Sequence, residues 1–282
     1  MEILKNKTTL QNYIERQKEM GKKIGFAPTM GALHDGHLSL YKAAKAENDL
    51  VISSIFVNPT QFNNVNDLAK YPRTLDFDIK KLEDCGDVDA VYIPQINDIY
   101  PEHTESKHFD FDGLEDEMEG KFRPGHFDGV ATVVEELFKQ VKPDNAYFGE
   151  KDFQQLAIIK KLAEKLKLPI HIHGVAIFRN SEGLALSSRN ERLTSHQKKE
   201  ALILHDTLIK VNEWFRIITI PEINKRVVEI FAKAPAMELE YFTIANEETL
   251  KETDFFYKDK SYRAFLVVNF GDVRLIDNMH LE

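Results

Sequence analysis

Apolar positions along the first 175 residues fall into two kinds of run. Asp49–Val57 (DLVISSIFV) is almost continuously apolar, as a parallel strand buried on both faces must be. Lys23–Pro28, Ala90–Ile93, Asn145–Gly149 and Ile170–Val175 are shorter runs of the same kind and are predicted as strands. Between them apolar residues recur at helical spacing. Thr8–Met20, Gly36–Ala46 (with Leu38, Leu40, Tyr41 and Ala44), Thr74–Cys85, Val130–Val141 and Asp152–Leu166 are predicted helices, with Thr8 as the first N-cap. Strands alternating with helices predict a parallel α/β sheet with right-handed crossovers.

The pattern then changes. Ser195–Phe215 and Ile223–Ala234 read as helices, and Met237–Ala245, Tyr262–Asn269 and Val273–Ile276 as strands with short turns. Helices followed by antiparallel strands predict a small α+β domain. The chain is therefore expected to divide into residues 1–177, a Rossmann-like parallel-sheet domain, and residues 178–282, a smaller α+β domain. A ligand site in such a sheet lies beyond the carboxyl ends of the strands, where their order reverses.

Composition narrows the function. The 282 residues are 43% hydrophobic and 29% charged, ample for a core, and the net charge of −9 argues against a general nucleic-acid partner. Cys85 is the only cysteine, so no intrachain disulfide can form, which fits a cytoplasmic setting. Met1–Asn6 lacks an apolar signal-peptide core and no long apolar run occurs, so no membrane association is expected.

Candidate chemistry clusters at the ends of the predicted strands. Met30-Gly31-Ala32-Leu33-His34-Asp35-Gly36-His37 follows the first and opens a helix. A helix N-terminus offers backbone N–H groups to phosphate, the imidazoles add side-chain donors, and Gly36 permits close approach. A metal site on His34 and His37 lacks a third ligand in the sequence, and His171 and His173 on one strand face suggest one only faintly. Asn58 and Gln61 follow the second long strand and offer neutral amides to a small substrate. Gly149-Glu150-Lys151-Asp152 precedes a helix that Asp152 is placed to cap, with Lys151 as a point charge for phosphate and Gln155 facing the strand ends. Ser187, Ser188 and Arg189 would make an anion clamp or an ordinary polar linker. Asp110–Glu119 reads as a solvated acidic stretch.

Taken together, Pro28–His37, Phe56–Phe62, Tyr71-Pro72-Arg73, Arg123–Val130, Phe148–Gln155, Gly183–Asn190 and Arg274–Asn278 closely resemble the pantothenate synthetase family over nearly the whole chain. The His-x-Gly-His piece alone indicates only the wider nucleotidylyltransferases. Glu182 and Asn246 depart from the aspartates usual there, and 211–235 is less typical. The resemblance implies ATP-dependent joining of (R)-pantoate to β-alanine through a pantoyl adenylate, with Mg²⁺, in a cytoplasmic homodimer. It implies that His34, His37, Lys151, Ser187, Ser188 and Arg189 stabilise phosphate charge, with His37 foremost. It implies that Met30–His37, Gly149–Asp152, Phe178 and Leu186–Arg189 line the nucleotide site. Gln61 and Gln155, with Asn58 and His126 second, would hold pantoate. It further implies a mobile loop near Asn63–Arg73 and a second domain acting as a lid. The Mg²⁺ ligands stay unassigned, Asp78 being a guess outside the site. The competing readings are AMP transfer to a phosphate acceptor and a non-catalytic ATP-binding regulator.

Overall fold

The apolar run Leu50–Ile55 becomes a strand with every residue buried, inside a six-stranded parallel sheet. In the computed structural model, which describes residues 1–63 and 65–282, this sheet belongs to the first of two units, Met1–Ala176 and Ile177–Glu282. The first unit runs β1 (Glu2–Leu4), α1 (Lys7–Glu19), β2 (Ile24–Thr29), α2 (Asp35–Glu47), β3 (Leu50–Ile55), α3 (Val65–Lys70) and α4 (Leu75–Cys85). It continues through β4 (Ala90–Tyr92), α5 (Ile96–Ile99), α6 (Glu119–Phe122), α7 (His126–Val141), β5 (Asn145–Gly149), α8 (Phe153–Lys165) and β6 (His171–Val175).

The strand order is β1-β4-β3-β2-β5-β6, with parallel pairing throughout. From β2 the chain builds outward through β3 and β4, then returns to add β5 and β6 on the other side of β2. The order therefore reverses between β2 and β5, which is where such sheets open a crevice. Tyr41 and Ala44 of α2 and Leu82 of α4 pack with Leu33, Val51, Val91 and Tyr147. Phe138 of α7 meets Phe26 and Phe148 edge-on, at 6.4 and 6.3 Å between ring centroids.

Several boundaries differ from the sequence expectation, each for a local reason. β1 was not expected, because three residues show no periodicity. α1 is capped by Asn6 rather than Thr8, since Asn6 Oδ1 accepts the Thr9 N–H at 2.9 Å. α7 starts at His126, ahead of Val130, because Gly125 (φ +77°) turns the chain into it. The 110–119 stretch is not simply solvated: Phe111, Leu114 and Met118 are buried. Of the expected mobile stretch Asn63–Arg73, residue 64 lies outside the described residues; the remainder includes α3, and Phe62 packs edge-on against Tyr71.

The second unit holds α9 (Ser195–Glu200), α10 (Leu202–Trp214), α11 (Ile220–Phe231), β7 (Met237–Asn246), β8 (Tyr262–Phe270) and β9 (Val273–Leu281). Its strands form an antiparallel β7-β8-β9 sheet. Leu204, Leu208 and Val211 of α10, Ile223 and Val227 of α11, and Ile244, Leu266 and Val268 share its core. The single helix expected over Ser195–Phe215 is divided at Ala201. α11 begins earlier than Ile223 because Thr219 caps it and Pro221 fits its first turn. β9 continues past Ile276 because Asp277 and Asn278 are buried with partners. Arg179 donates to both Asp277 oxygens at 2.7 and 2.8 Å, and Arg263 donates to Asn278 Oδ1 at 2.6 Å. Among the described residues no helix is long and apolar enough to cross a membrane.

Removing one side of a buried ion pair leaves an uncompensated charge, at a cost of about 3–5 kcal/mol. Asp277→Ala should therefore lower unfolding free energy by about that amount, read in urea denaturation followed by far-ultraviolet circular dichroism.

Candidate active site

β2 ends in a turn that no run of ordinary residues would adopt unaided. Gly31 and Ala32 both have positive φ, +82° and +51°. The turn is held by Asp78 of α4, a carboxylate only 3% exposed. Its Oδ2 accepts the Ala32 N–H at 3.0 Å and its Oδ1 accepts the Leu33 N–H at 2.8 Å. The Thr74 hydroxyl donates to the same group at 3.2 Å. A Cβ on Gly31 would lie 3.0 Å from Asp78 Oδ2 and 3.2 Å from Ile55 Cγ2, so glycine is required by space as well as by φ. Asp78, guessed from sequence as a Mg²⁺ contact, is instead occupied in shaping this loop.

The turn delivers His34 to the N-cap of α2. The His34 backbone N–H donates to His37 Nδ1 at 3.2 Å, and the His37 N–H donates to the His34 carbonyl at 2.8 Å. An accepting Nδ1 fixes the neutral tautomer: His37 carries its proton on Nε2, as a hydrogen-bond donor. The two rings lie 4.1 Å apart, tilted by 42°. His34 Nδ1 is buried with no hydrogen-bond partner. Burial, then the charges of Lys151 and Lys81, push His34 down to about 4. Burial, then His34, Lys81 and Lys151, hold His37 well below the ordinary imidazole range. Both rings are neutral at pH 7, so what this helix N-terminus can offer an anion is hydrogen bonds and dipole rather than imidazolium charge.

The second strand end is built on Asn58, 1% exposed. Its Nδ2 donates to Gln61 Oε1 at 3.2 Å and to the Gly129 carbonyl at 3.0 Å, and its Oδ1 accepts the Tyr100 hydroxyl at 2.6 Å. Asn58 is thus a strut of the turn. Gln61 Nε2 rests on Met30 Sδ at 2.8 Å, which joins this turn to the loop after β2. The Gln61 carbonyl accepts from His126 Nδ1 at 2.8 Å and from Arg123 at 3.2 Å. Arg123 also faces His126 Nε2 at 3.3 Å, so that nitrogen accepts and the proton sits on Nδ1. Burial and then Arg123 bring His126 down to about 4. α7 comes this close because of Gly129: a Cβ there would lie 2.5 Å from the Thr60 carbonyl oxygen and 2.8 Å from Gln61 Cα.

The third strand end, after β5, carries Gly149, Glu150, Lys151 and Asp152, the last three as a single 3₁₀ turn. Asp152 occupies the N-cap of α8, but its side chain makes no capping hydrogen bond, contrary to the sequence reading. Gln154 accepts the Glu119 N–H at 3.0 Å and donates to the Leu114 and Glu117 carbonyls at 2.8 Å each. That residue, passed over in the sequence, anchors the 114–119 stretch; Gln155 beside it is half-buried. Met30–His37, Asn58, Gln61, His126, Gly149–Asp152 and Gln155 therefore all belong to the first unit, on segments at or facing the carboxyl ends of β2, β3 and β5.

Phe178, Leu186, Ser187, Ser188 and Arg189 belong to the second unit. There the Leu186 N–H donates to the Phe178 carbonyl at 3.1 Å, and Ser187 Oγ accepts the Arg189 N–H at 3.3 Å. Among the described residues no group of three or more His, Cys, Asp or Glu side chains could hold a metal ion. His173 instead stacks on Tyr147 at 4.7 Å.

The sheet order and the histidine-capped helix at its reversal define a Rossmann-like α/β protein, with the candidate residues of its first unit at the carboxyl edge of the sheet. Comparison with known proteins makes this specific. The family model for pantoate-beta-alanine ligase matches residues 2–280. A pantothenate synthetase of Flavobacterium psychrophilum is 48% identical over 282 residues, covering 100% of both chains, and one of Bacteroides fragilis is 46% identical, covering 99% and 98%. Among solved structures, pantothenate synthetase from Thermus thermophilus superposes with a TM-score of 0.91 at 36% identity, covering 99% of each chain. The Francisella tularensis ligase, solved with beta-gamma ATP and beta-alanine, gives 0.82 at 37% identity, covering 99% and 97%. The chain belongs to the pantoate–β-alanine ligase family.

Two expectations follow. In an ordinary helix Gly→Ala stabilises by about 1 kcal/mol. Gly129→Ala should instead destabilise by about 1–3 kcal/mol through overpacking against the Thr60–Gln61 backbone, measured by thermal unfolding. The lowered pKa values of His34 and His126 also predict an acid weakness. Between pH 6.5 and about 4 the unfolded chain binds more protons at these sites than the folded one, so stability rises with pH there. It should be fully present above pH 6.5 and fall progressively towards pH 4, and replacing His126 with Gln should flatten that slope.

Proposed function

We propose that this chain condenses (R)-pantoate with β-alanine at the expense of ATP, giving pantothenate, AMP and pyrophosphate. The pantoate carboxylate attacks the α-phosphorus and pyrophosphate leaves; the β-alanine amine then attacks the acyl carbonyl of the adenylate and AMP leaves. Family membership supports the overall reaction. The observation that carries the residue assignment is the His34–His37 pair, whose mutual hydrogen bonding leaves His37 with its proton on Nε2 at a helix N-terminus.

In this reading His37 Nε2–H and His34 donate to the triphosphate, and Lys151 neutralises charge as pyrophosphate separates. Donors held in place before the reaction need no reorganisation at the transition state, which is where positioning is worth most. The backbone of Met30–Gly36 and Gly149–Asp152 lines the nucleotide. Gln61 and Gln155 hold pantoate, and Asn58 and His126 act through Gln61 by fixing its amide and its carbonyl. Phe178, Leu186, Ser187, Ser188 and Arg189 are read as further nucleotide-binding groups, carried by the second unit. Mg²⁺ is read as arriving with the ATP phosphates, since Asp78 is engaged by backbone N–H groups and no described cluster makes a cage. A cytoplasmic homodimer completes the proposal.

The test is AMP and pyrophosphate release with pantoate and β-alanine added singly and together. Sustained AMP formation and a pantothenate mass should require both acids. AMP transfer to another acceptor, or ATP binding without turnover, would reject the ligase. His37→Ala should lower the adenylation rate by about 10²–10³-fold, as loss of one transition-state donor does. A loss of activity that merely tracks loss of fold would remove His37 from the mechanism.

A further inference from the structure

We infer that Lys81 is a further phosphate-binding residue, bringing from α4 a second positive charge to the His34–His37 end of the site. The inference rests on the nucleotide reading above and adds a residue to it.

The placement comes first from the helix. Asp78 sends its carboxylate from α4 into the Ala32–Leu33 turn, and Leu82 packs in the core beside Leu33. Residues three apart on a helix share a face, so Lys81 starts from the side of α4 applied to that turn. It is half-buried, whereas Lys80 next to it is exposed and paired with Asp84 at 2.9 Å. Among the described residues no carboxylate pairs with Lys81. The positive charge of Lys81 lowers the pKa of both imidazoles, as that of Lys151 does.

The second argument is electrostatic. The two histidines are neutral, so they supply directional hydrogen bonds but no cation. A triphosphate and its pyrophosphate leaving group need positive charge as well as donors. Lys151 stands at the start of α8, on the β5 side of the strand reversal, and Lys81 stands on the β3–β4 crossover, on the other side. Two lysines would thus bracket a neutral imidazole pair. A lysine is a flexible point charge, able to follow phosphate oxygens as they move apart. The buried, unpartnered Nδ1 of His34 marks the same place as prepared for a polar ligand.

The experiment compares Lys81→Met and Lys81→Arg with the unaltered enzyme. The readouts are calorimetric binding of inorganic pyrophosphate, KM for ATP and for β-alanine, and imidazole titration by NMR. Lys81→Met should weaken pyrophosphate binding and raise the ATP KM by about 10–100-fold, the range expected for a charge-assisted contact. The β-alanine KM and thermal midpoint should stay unchanged, and Lys81→Arg should restore most of the binding. Loss of the neighbouring charge should also raise the His34 pKa. Unchanged pyrophosphate affinity, an unmoved His34 titration, or equal losses in both variants that track the thermal midpoint would each overturn the assignment. Failure of the unaltered chain to form pantothenate would defeat the ligase reading alone, because pyrophosphate binding and the His34 titration still report on Lys81.

Discussion

The carboxylate of Asp78 accepts consecutive backbone N–H groups from Ala32 and Leu33, and the geometry of the candidate site depends on that contact. Of two successive residues at positive φ, Gly31 takes that conformation freely and Ala32 does so at a cost. A buried anion that satisfies the N–H groups they expose offsets the strain, and Gly31 leaves room for it. Because the turn is closed in this way, His34 reaches the N-cap of α2 with its N–H directed at His37. The tautomer of His37 follows from the backbone, and the availability of Nε2–H follows from the tautomer.

The same economy holds at the second strand end. Asn58 and Gly129 bring α7 against the Thr60–Gln61 turn, and His126 and Arg123 share the Gln61 carbonyl. Few of these groups touch a substrate in the proposed reaction; most fix the ones that do. The contact between Gln61 and Met30 joins both assemblies, so the surfaces proposed for nucleotide and for pantoate are held in register by one amide–sulfur bond.

Much of the fold was legible in the sequence because parallel strands are buried on both faces and read as apolar runs. Asn145–Gly149 was read with its true limits, and the alternation of strand and helix predicted the sheet. β1 and the end of β9 were not legible: the first is too short, and the second carries buried Asp277 and Asn278 whose partners, Arg179 and Arg263, are distant in sequence. Ala201 divides a run of helical periodicity without any Gly or Pro to announce it. In the site, residue types at strand ends pointed to His34, His37, Gln61 and Lys151. The strand-end rule could not separate Gln154, which binds backbone, from Gln155. The role of Asp78, no more than a guess for Mg²⁺ from the sequence, was not legible because its partners are peptide groups, which any sequence contains. Lys81 carried no signal at all, since a lysine on a helix is ordinarily a solvated one.

The neutrality of the histidine pair bears on the end of a turnover as much as on its start. Pyrophosphate carries more concentrated negative charge than the nucleotide that releases it. Two imidazolium cations would clasp it tenaciously and turn the first product into a lasting inhibitor. Uncharged donors instead favour the geometry of bond cleavage without trapping the fragment. In the proposed reaction, burial of the two rings would therefore keep the hold at this helix end directional, and the charge that grips the departing anion would rest on the flexible lysines alone.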